Sequence, residues 1–207
     1  ADVCSSDLDL GYNEAVTYSL VGKKEIEDAV MPHKDIVELA APMSEDHKYV
    51  RDSILPSLLE CVAYNQARSI KDIALFEISN VYGLGHVEER LAVAASGALQ
   101  ENRWQKFRME VDFYTVKGLV EALLESIGYQ GSRVVFKENH TDIVHFHPYR
   151  SAEVYLGREL LGLVGQIHPK MAQAYDITET LALEINLEVL LKNKPGKVKF
   201  TEVRSEE

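Results

Sequence analysis

Residues 50–82 have the sequence VRDSILPSLLECVAYNQARSIKDIALFEISNVY, in which a helical pattern is followed at once by a strand pattern. Apolar residues recur at the i, i+3, i+4, i+7 and i+8 spacing of one helix face, which predicts a helix over residues 55–68. The members of that stripe are Leu55, Leu58, Leu59, Val62 and Ala63. Pro56 suits the first turn, where its missing amide hydrogen costs nothing. Residues 73–81 are apolar on both faces, as expected of a central strand covered from both sides.

The surrounding sequence predicts a second helix and further strands. Asp112 is a good N-cap for a helix that ends near Gly128, and Gly118 inside it predicts close packing against a neighbour. Gly157 and Arg158 fit a two-residue hairpin turn with glycine in the first central position. Strands are predicted over residues 14–21, 73–81, 91–99, 133–137, 151–156, 160–167 and 181–187. Adjacent hairpins, with helices inserted between other strands, indicate an α+β fold with a largely antiparallel sheet.

The composition limits the possible functions. The chain has 207 residues with 33 acidic against 22 basic side chains, a formal net charge of −11. Nucleic-acid binding draws on clustered Lys and Arg, so this balance points away from a principal RNA-binding surface. A hydrophobic fraction of 46% excludes a wholly disordered protein. We expect a single domain over residues 1–207, a piece of a longer protein, with 1–10 as a truncated or disordered lead-in and 193–207 as a tail.

The two cysteines, Cys4 and Cys61, are isolated from each other. This spacing argues against a zinc ribbon or a disulfide-rich secreted domain and favours a reducing cytoplasm. Cys61 lies beside the apolar stripe of the first helix, where an inert buried thiol is favoured over a nucleophile. No apolar run approaches the ~18 residues of a membrane-spanning helix, so none is expected.

Two motifs are candidate sites. His140, His145 and His147 lie in the densest cluster of possible metal ligands, but an HxH pair without further support is weak, and a polar loop is favoured. Gly83-Leu84-Gly85 follows a strand as a phosphate loop does, but it lacks a third glycine and GK[ST], so a turn is favoured. No GxSxG, HExxH or paired-carboxylate signature is present. We therefore expect no metal site and no catalytic residue.

Five stretches in register resemble the synthetase-like core of the β subunit of bacterial phenylalanine–tRNA ligase. They are residues 11–21, the quoted 50–82, 111–128 (VDFYTVKGLVEALLESIG), 146–169 (FHPYRSAEVYLGRELLGLVGQIHP) and 182–190. The resemblance implies a class II aminoacyl-tRNA synthetase-like antiparallel β-sheet flanked by helices. It also implies a degenerate copy of the catalytic domain, because in this family the α subunit performs the chemistry.

The positions of the nucleotide-binding motifs agree with a non-catalytic domain. Class II active sites hold ATP with arginines in their second and third motifs, since a bidentate, always-charged guanidinium suits a triphosphate. Here Gly83 follows FEISNVY where one arginine is expected, and Glu184 and Glu188 would repel a triphosphate in the strand LALEINLEVL. Arg51 and Arg150 lie outside the positions that the motifs require. We expect no cofactor in this domain, with ATP and Mg used by the parent complex.

The resemblance also implies a partner. It predicts packing against the α subunit within an (αβ)₂ heterotetramer, with tRNA bound only through the full complex and no membrane contact. The segment GYNEAVTYS matches the interface strand of the first motif, so the expected α-subunit contacts are Tyr12, Asn13, Glu14, Thr17 and Tyr18. For each residue, an edge strand within the domain's own sheet is the alternative. Two other functions stay open: a free-standing class II paralogue that activates an amino acid, and a module that binds a small-molecule ligand.

Overall fold

The computed structural model describes residues 10–129 and 133–193. The strands are β1 (Asn13–Glu14), β2 (Leu20–Val21), β3 (Tyr49–Val50), β4 (Ile73–Gly83), β5 (His86–Ser96), β6 (Ala98–Asn102), β7 (Phe107–Glu110), β8 (Val134–Glu138), β9 (Phe146–Leu156), β10 (Glu159–Ile167) and β11 (Leu181–Asn186). The helices are α1 (Lys23–Glu27), α2 (Leu55–Gln66), α3 (Phe113–Ser126), α4 (Pro169–Ala174) and α5 (Leu187–Lys192), with a 3₁₀ turn at Glu45–His47. Cys4 lies outside the described residues, as do the expected lead-in and tail apart from Leu10 and Asn193.

Seven strands form one mixed sheet in the order β1-β4-β5-β11-β10-β9-β8. Its neighbouring strands run antiparallel, except that β1 lies parallel to β4 at the sheet edge. Two short ribbons, β2 with β3 and β6 with β7, lie outside this sheet. The α+β class with a largely antiparallel sheet is therefore confirmed. None of the helices in the described part of the chain is long and apolar enough to cross a membrane.

An apolar layer covers each face of the sheet. Because side chains alternate across a strand, β5 sends Leu91 and Val93 to one face and Ala92 and Ala94 to the other. The first face packs against α3 and the second against α2. Fully burying one Leu or Val side chain is worth about 1.5–3 kcal/mol. The two layers therefore cover β4 and β5 from both sides, as residues 73–81 predicted.

The predicted ends of α3 and the predicted hairpin turn are confirmed, whereas α2 ends at Gln66 instead of Arg68. The Asp112 carboxylate accepts a hydrogen bond from the Thr115 amide at 2.7 Å, and the Asp112 amide donates to the Thr115 hydroxyl at 3.3 Å, which makes a capping box. Gly128 follows α3 with a φ of 97°, and Gly157 turns β9 into β10 with a φ of 65°. Both angles lie in the left-handed region that favours glycine.

The predicted continuous strand over residues 14–21 is wrong. Only its two ends pair, as β1 and β2, and the residues between them form a loop. In this loop the Thr17 hydroxyl turns inward and donates to the Glu77 carboxylate at 2.7 Å. Val16 and Tyr18 are consequently left 88% and 80% exposed. The apolar residues of the predicted strand therefore face outward, while the polar Thr17 makes the inward contact.

Further differences concern element ends and short elements. A Cβ built on Gly118 would meet no atom within 4 Å, so the predicted close packing there is wrong and this residue faces open space. The predicted strand over 91–99 ends at Ser96, and Leu187 begins α5 instead of extending β11. The helices α1, α4 and α5 and the ribbon of β6 and β7 were not predicted, because such short elements carry too few residues for a periodic pattern.

Candidate functional site

Charged side chains lie inside the otherwise apolar centre of the sheet, on the face that packs against α2. They are Glu77 on β4, Arg90 on β5 and Glu184 on β11, each no more than 3% exposed. Glu77 and Glu184 both lie opposite Ala92, so the two carboxylates flank the small side chain of that residue. Together with Arg51, from the segment that leads into α2, these residues form what we call the ionic cluster.

Arg51 is held entirely by groups within the domain. Its Nη1 donates to Glu77 Oε1 at 2.9 Å and to Thr17 Oγ1 at 2.8 Å, and its Nε donates to the carbonyl of Asn80 at 3.1 Å. The residue is 1% exposed. Removing one partner of such a buried ion pair leaves an uncompensated charge, which typically costs about 3–5 kcal/mol. Arg51 therefore holds the structure together and has no free face for a phosphate.

Arg90 is the second internal guanidinium. Its Nη1 contacts Glu184 Oε1 at 2.9 Å and the carbonyls of Val30 and Asp52 at 3.1 and 3.2 Å. Its Nη2 contacts Glu88 Oε2 at 3.0 Å. Burial alone would lower the pKa of Arg90, but the neighbouring Glu184 and Glu88 outweigh burial and raise this pKa. The side chain stays charged and ties the segment around residue 30 to the sheet.

Glu184 joins the sheet to the beginning of α2. Its Oε2 accepts from the Ser53 hydroxyl at 2.6 Å and from the Leu55 amide at 3.0 Å, while Arg90 contacts the other oxygen. A carboxylate at this position also satisfies an otherwise unpaired helix amide and complements the helix dipole. The expectation that Glu184 would repel a triphosphate is wrong, because the residue is 0% exposed and Arg90 compensates its charge.

The remaining residues that bear on nucleotide binding are dispersed. Arg150, on β9, is largely exposed and donates to Gln166 Oε1 at 2.9 Å, with Glu179 at 3.5 Å. Glu188 lies in α5, where its amide is capped by Asn186. Gly83 ends β4 at the hairpin turn into β5, so the turn favoured by the sequence is confirmed. Arg150, Glu188 and Gly83 therefore lie on three different elements, β9, α5 and β4.

The sequence-predicted histidines do not form a common centre. His145 Nδ1 contacts the Asp142 carboxylate at 2.8 Å, and this hydrogen bond raises the pKa of His145. Burial alone would raise the pKa of Asp142, but the hydrogen bonds from His145 hold this pKa below its usual range. His147 Nδ1 accepts from the Tyr149 amide, and His140 lies exposed on its loop. Within the described residues, the three side chains whose ligand atoms do converge are His33, His86 and Glu88.

A cavity of about 640 Å³ opens between the 16–21 segment and α2. Exposed Val16, Tyr18 and Tyr64 line it, together with Glu60 and the half-buried Cys61. Burial raises the pKa of the Cys61 thiol, which makes the reactive thiolate less accessible. Burial and then Glu25 raise the pKa of Glu60. This Tyr18 cleft, as we call it, combines exposed aromatic surface with acidic groups.

The predicted α-subunit contacts fall into two groups. Asn13, Glu14 and Tyr18 are exposed, and the first two form β1 at the sheet edge. Tyr12 is 2% exposed within the α3-side core, and Thr17 is held by the ionic cluster. Asn13 also donates to the carbonyl of Ala74 at 3.4 Å. The segment thus presents Glu14 and Tyr18 outward while Tyr12 and Thr17 anchor it.

The sequence profile of the phenylalanyl tRNA synthetase beta chain CLM domain matches residues 5–187. The chain belongs to this family. Two family relatives, phenylalanine–tRNA ligase beta subunits from Staphylococcus aureus strains MRSA252 and bovine RF122 / ET3-1, are each 35% identical over 196 residues. Each match covers 92% of this chain and 24% of the relative. The chain therefore spans about a quarter of the length of these beta subunits.

Two solved structures have a fold similar to that of this chain. A pyrrolysyl tRNA synthetase from Desulfitobacterium hafniense superposes with a TM-score of 0.68 at 17% identity, covering 92% of this chain and 63% of that one. A second structure of the synthetase from the same organism gives a TM-score of 0.65 at 18% identity, covering 92% and 66%. The domain therefore has a class II synthetase-like fold, as the resemblance implied.

Most of the ionic cluster was not predicted from the sequence. Glu77 and Arg90 were not singled out, and Glu184 was interpreted only as a charge that would repel a triphosphate. A signal was present for the two glutamates, because each interrupts a largely apolar run, in IALFEISNV and LALEINL. Charged residues are almost never fully buried unless they are paired, so these two interruptions predict buried, paired carboxylates. The pairing itself depends on strand register, which a single sequence does not define.

Proposed function

We propose that this chain is a non-catalytic, class II synthetase-like domain of a phenylalanine–tRNA ligase β subunit. In this proposal it packs against the catalytic α subunit and helps build the (αβ)₂ heterotetramer that charges tRNA(Phe) with phenylalanine. The observation that carries the proposal is the ionic cluster, in which Arg51 and Arg90 are both buried in internal ion pairs. The family match supports the parentage.

The ionic cluster argues against nucleotide chemistry in this domain. A bound ATP needs exposed, positively charged donors that are arranged before the substrate arrives. Here the two guanidiniums on the α2 face of the sheet are compensated by Glu77 and Glu184 and covered by chain. Exposing them for a triphosphate would break the contacts that position α2. We propose that ATP, Mg and tRNA bind elsewhere in the parent complex.

The Tyr18 cleft is the proposed α-subunit contact. Tyrosine is enriched at protein interfaces because it offers a large contact area with one polar tip. Val16, Tyr18 and Tyr64 supply such area here, and Glu14 lies close by at the sheet edge. The guanidinium of Arg68 stacks 3.3 Å from the centre of the Tyr64 ring, which holds that ring in place. The proposal locates the domain in the cytoplasm, where isolated cysteines stay reduced.

Co-purification tests the contact directly. When this chain is co-expressed with the α subunit of the same organism, we expect Tyr18→Asp to reduce the α subunit recovered at least tenfold. Tyr149→Asp is the matched control, because Tyr149 is similarly exposed, at 88% against 80% for Tyr18, but lies on β9, in the other half of the sheet. Circular dichroism checks that both variants are folded. Unchanged recovery with Tyr18→Asp would contradict the proposed surface.

A ligand-binding module is the second candidate, and the volume of the Tyr18 cleft favours it. A cavity of about 640 Å³ is within the range that holds small molecules, roughly 300–1,000 Å³. A thermal-shift screen with amino acids and nucleotides separates the two functions, since a specific ligand raises the melting temperature by mass action. Phenylalanine-dependent ATP–pyrophosphate exchange by the isolated chain would instead establish the third possibility, a free-standing synthetase paralogue.

A further inference from the structure

At the turn between β4 and β5, three side chains direct potential metal ligands toward one point. The ligand atoms of His33, His86 and Glu88 all lie within 4.8 Å of one another. His86 Nε2 is 2.8 Å from Glu88 Oε1, and His33 Nε2 is 3.5 Å from Glu88 Oε2. The two imidazole centroids are 5.2 Å apart at an interplanar angle of 67°. This spacing leaves the rings unstacked, with their ring nitrogens close together.

The hairpin register places these groups side by side. His86 and Glu88 are two residues apart on β5 and therefore share a face. Gly83 lies directly opposite His86, and a Cβ at that position would be 2.9 Å from Cγ of His33. A glycine there leaves the space that the His33 ring occupies.

Asp52 fixes the orientation of His33. Its Oδ2 accepts from the His33 backbone amide at 2.7 Å, and its Oδ1 contacts His33 Nδ1. Because an ionised carboxylate can only accept, this contact assigns the donated proton to Nδ1 and leaves Nε2 available as a ligand. Nε2 is buried and makes no hydrogen bond with any described residue. A histidine held by a carboxylate through one nitrogen, with the other nitrogen available, is the arrangement found at protein metal sites.

The charge around the three side chains favours a cation. Asp52, Glu88 and Glu184 are carboxylates at or near this position, whereas Arg90 is the guanidinium that contacts Glu88 and Glu184. Three carboxylates against one guanidinium leave an excess of negative charge, and of these four side chains none is more than 16% exposed. Buried charges are normally paired or bound to metals. A divalent ion would compensate the excess and connect the segment around residue 33 to the hairpin.

We propose that His33, His86 and Glu88 bind a divalent transition-metal ion, with zinc as the best match. Two imidazole nitrogens and one carboxylate oxygen form a ligand set suited to zinc and poorly suited to magnesium or calcium. His86 is 50% exposed, so solvent can supply a fourth ligand. The site fastens residues 30–35 onto the β4–β5 hairpin. This proposal is independent of the α-subunit contact.

The test is zinc binding by the full chain after treatment with EDTA and dialysis. Calorimetric titration with Zn²⁺ should give one equivalent, and the melting temperature should rise with Zn²⁺ but not with Mg²⁺. His86→Ala should weaken Zn²⁺ binding at least tenfold, and Asp52→Asn should weaken it about 10–100-fold. His140→Ala is the control, because that exposed histidine lies on a different loop.

Each result supports or overturns the site. Because His86 is half-exposed, we expect His86→Ala to fold, and circular dichroism checks this. Should the variant of the buried Asp52 not fold, Glu88→Gln replaces it and should likewise weaken Zn²⁺ binding. One equivalent of Zn²⁺, weakened by His86→Ala and unaffected by His140→Ala, supports the proposal. Absence of binding overturns it. Binding of equal strength in wild type and His86→Ala also overturns it, because the ion would then lie elsewhere.

Discussion

Replacing Arg90 with methionine should destabilise the domain strongly. The substitution leaves the Glu184 carboxylate buried, with only the Ser53 hydroxyl and the Leu55 amide as partners. Removing one partner of a buried pair costs about 3–5 kcal/mol. The Val30 carbonyl loses a donor as well, so we expect about 5 kcal/mol. This is a large share of the ~5–15 kcal/mol that stabilises an ordinary domain.

Replacing the other partner of the ion pair, by Glu184→Gln, should lower the free energy of unfolding by less. Its amide oxygen still accepts from the Leu55 amide, and Glu88 still contacts Arg90 at 3.0 Å. We therefore expect a loss of about 3 kcal/mol. Because the two substitutions remove the same ion pair, the double variant should lose less than the sum of the single losses, by about 0.5–3 kcal/mol.

Urea unfolding, followed by far-ultraviolet circular dichroism at constant temperature, measures these free energies. Arg103→Met is the control, since Arg103 pairs with Glu101 at 3.2 Å but its side chain is 89% exposed. Solvent screens such a pair, so the stability of that variant should stay close to wild type. A loss below about 1 kcal/mol for Arg90→Met, or strict additivity in the double variant, would refute the role of the ionic cluster.

Two further predictions concern the surface and the pH dependence. Gly118→Ala should stabilise the domain by up to about 1 kcal/mol in the same urea assay, because alanine favours helix and the new methyl meets open space. A loss of stability would contradict that placement. His145→Ala should lower the unfolding free energy more at about pH 5.5 than at about pH 9. The raised pKa of His145 gives stability that is lost as the pH rises through it, and the lowered pKa of Asp142 gives stability that is lost only in acid. Equal losses at both values would contradict this pairing.

Long periodic elements could be predicted from the sequence, whereas the 14–21 segment could not. The stripe of α2 and the capping residue Asp112 are local signals that tertiary contacts reinforce. In residues 14–21 the apolar alternation pointed to a strand, but the decisive contact joins Thr17 to Glu77, sixty positions away. A local pattern contains no information about such a partner.

Contacts between distant positions also limit what could be predicted of the site. The sequence showed a glycine, Gly83, where the family motif calls for an arginine, but the buried carboxylates were not identified as partners of Arg51 and Arg90. Glu77 and Glu184 meet these guanidiniums because both lie opposite Ala92 in the register of three strands. The His33, His86 and Glu88 group likewise depends on one hairpin and a distant loop, and no spacing motif connects them.

The central position of β11 has a consequence for synthesis on the ribosome. This last strand of the described chain lies between β5 and β10, so β4 and β5 are translated long before the strand that joins them to β9 and β10. Until then, the emerging polypeptide holds two separate half-sheets, each with an unpaired inner edge that can associate with another chain. The Leu55 amide likewise has no carboxylate partner until Glu184, 129 positions downstream, has been translated. The sheet can therefore be completed only when β11 inserts between the two half-sheets, late in synthesis. A nascent chain that stalls before residue 181 keeps both inner edges unpaired, and we expect chaperones to bind it.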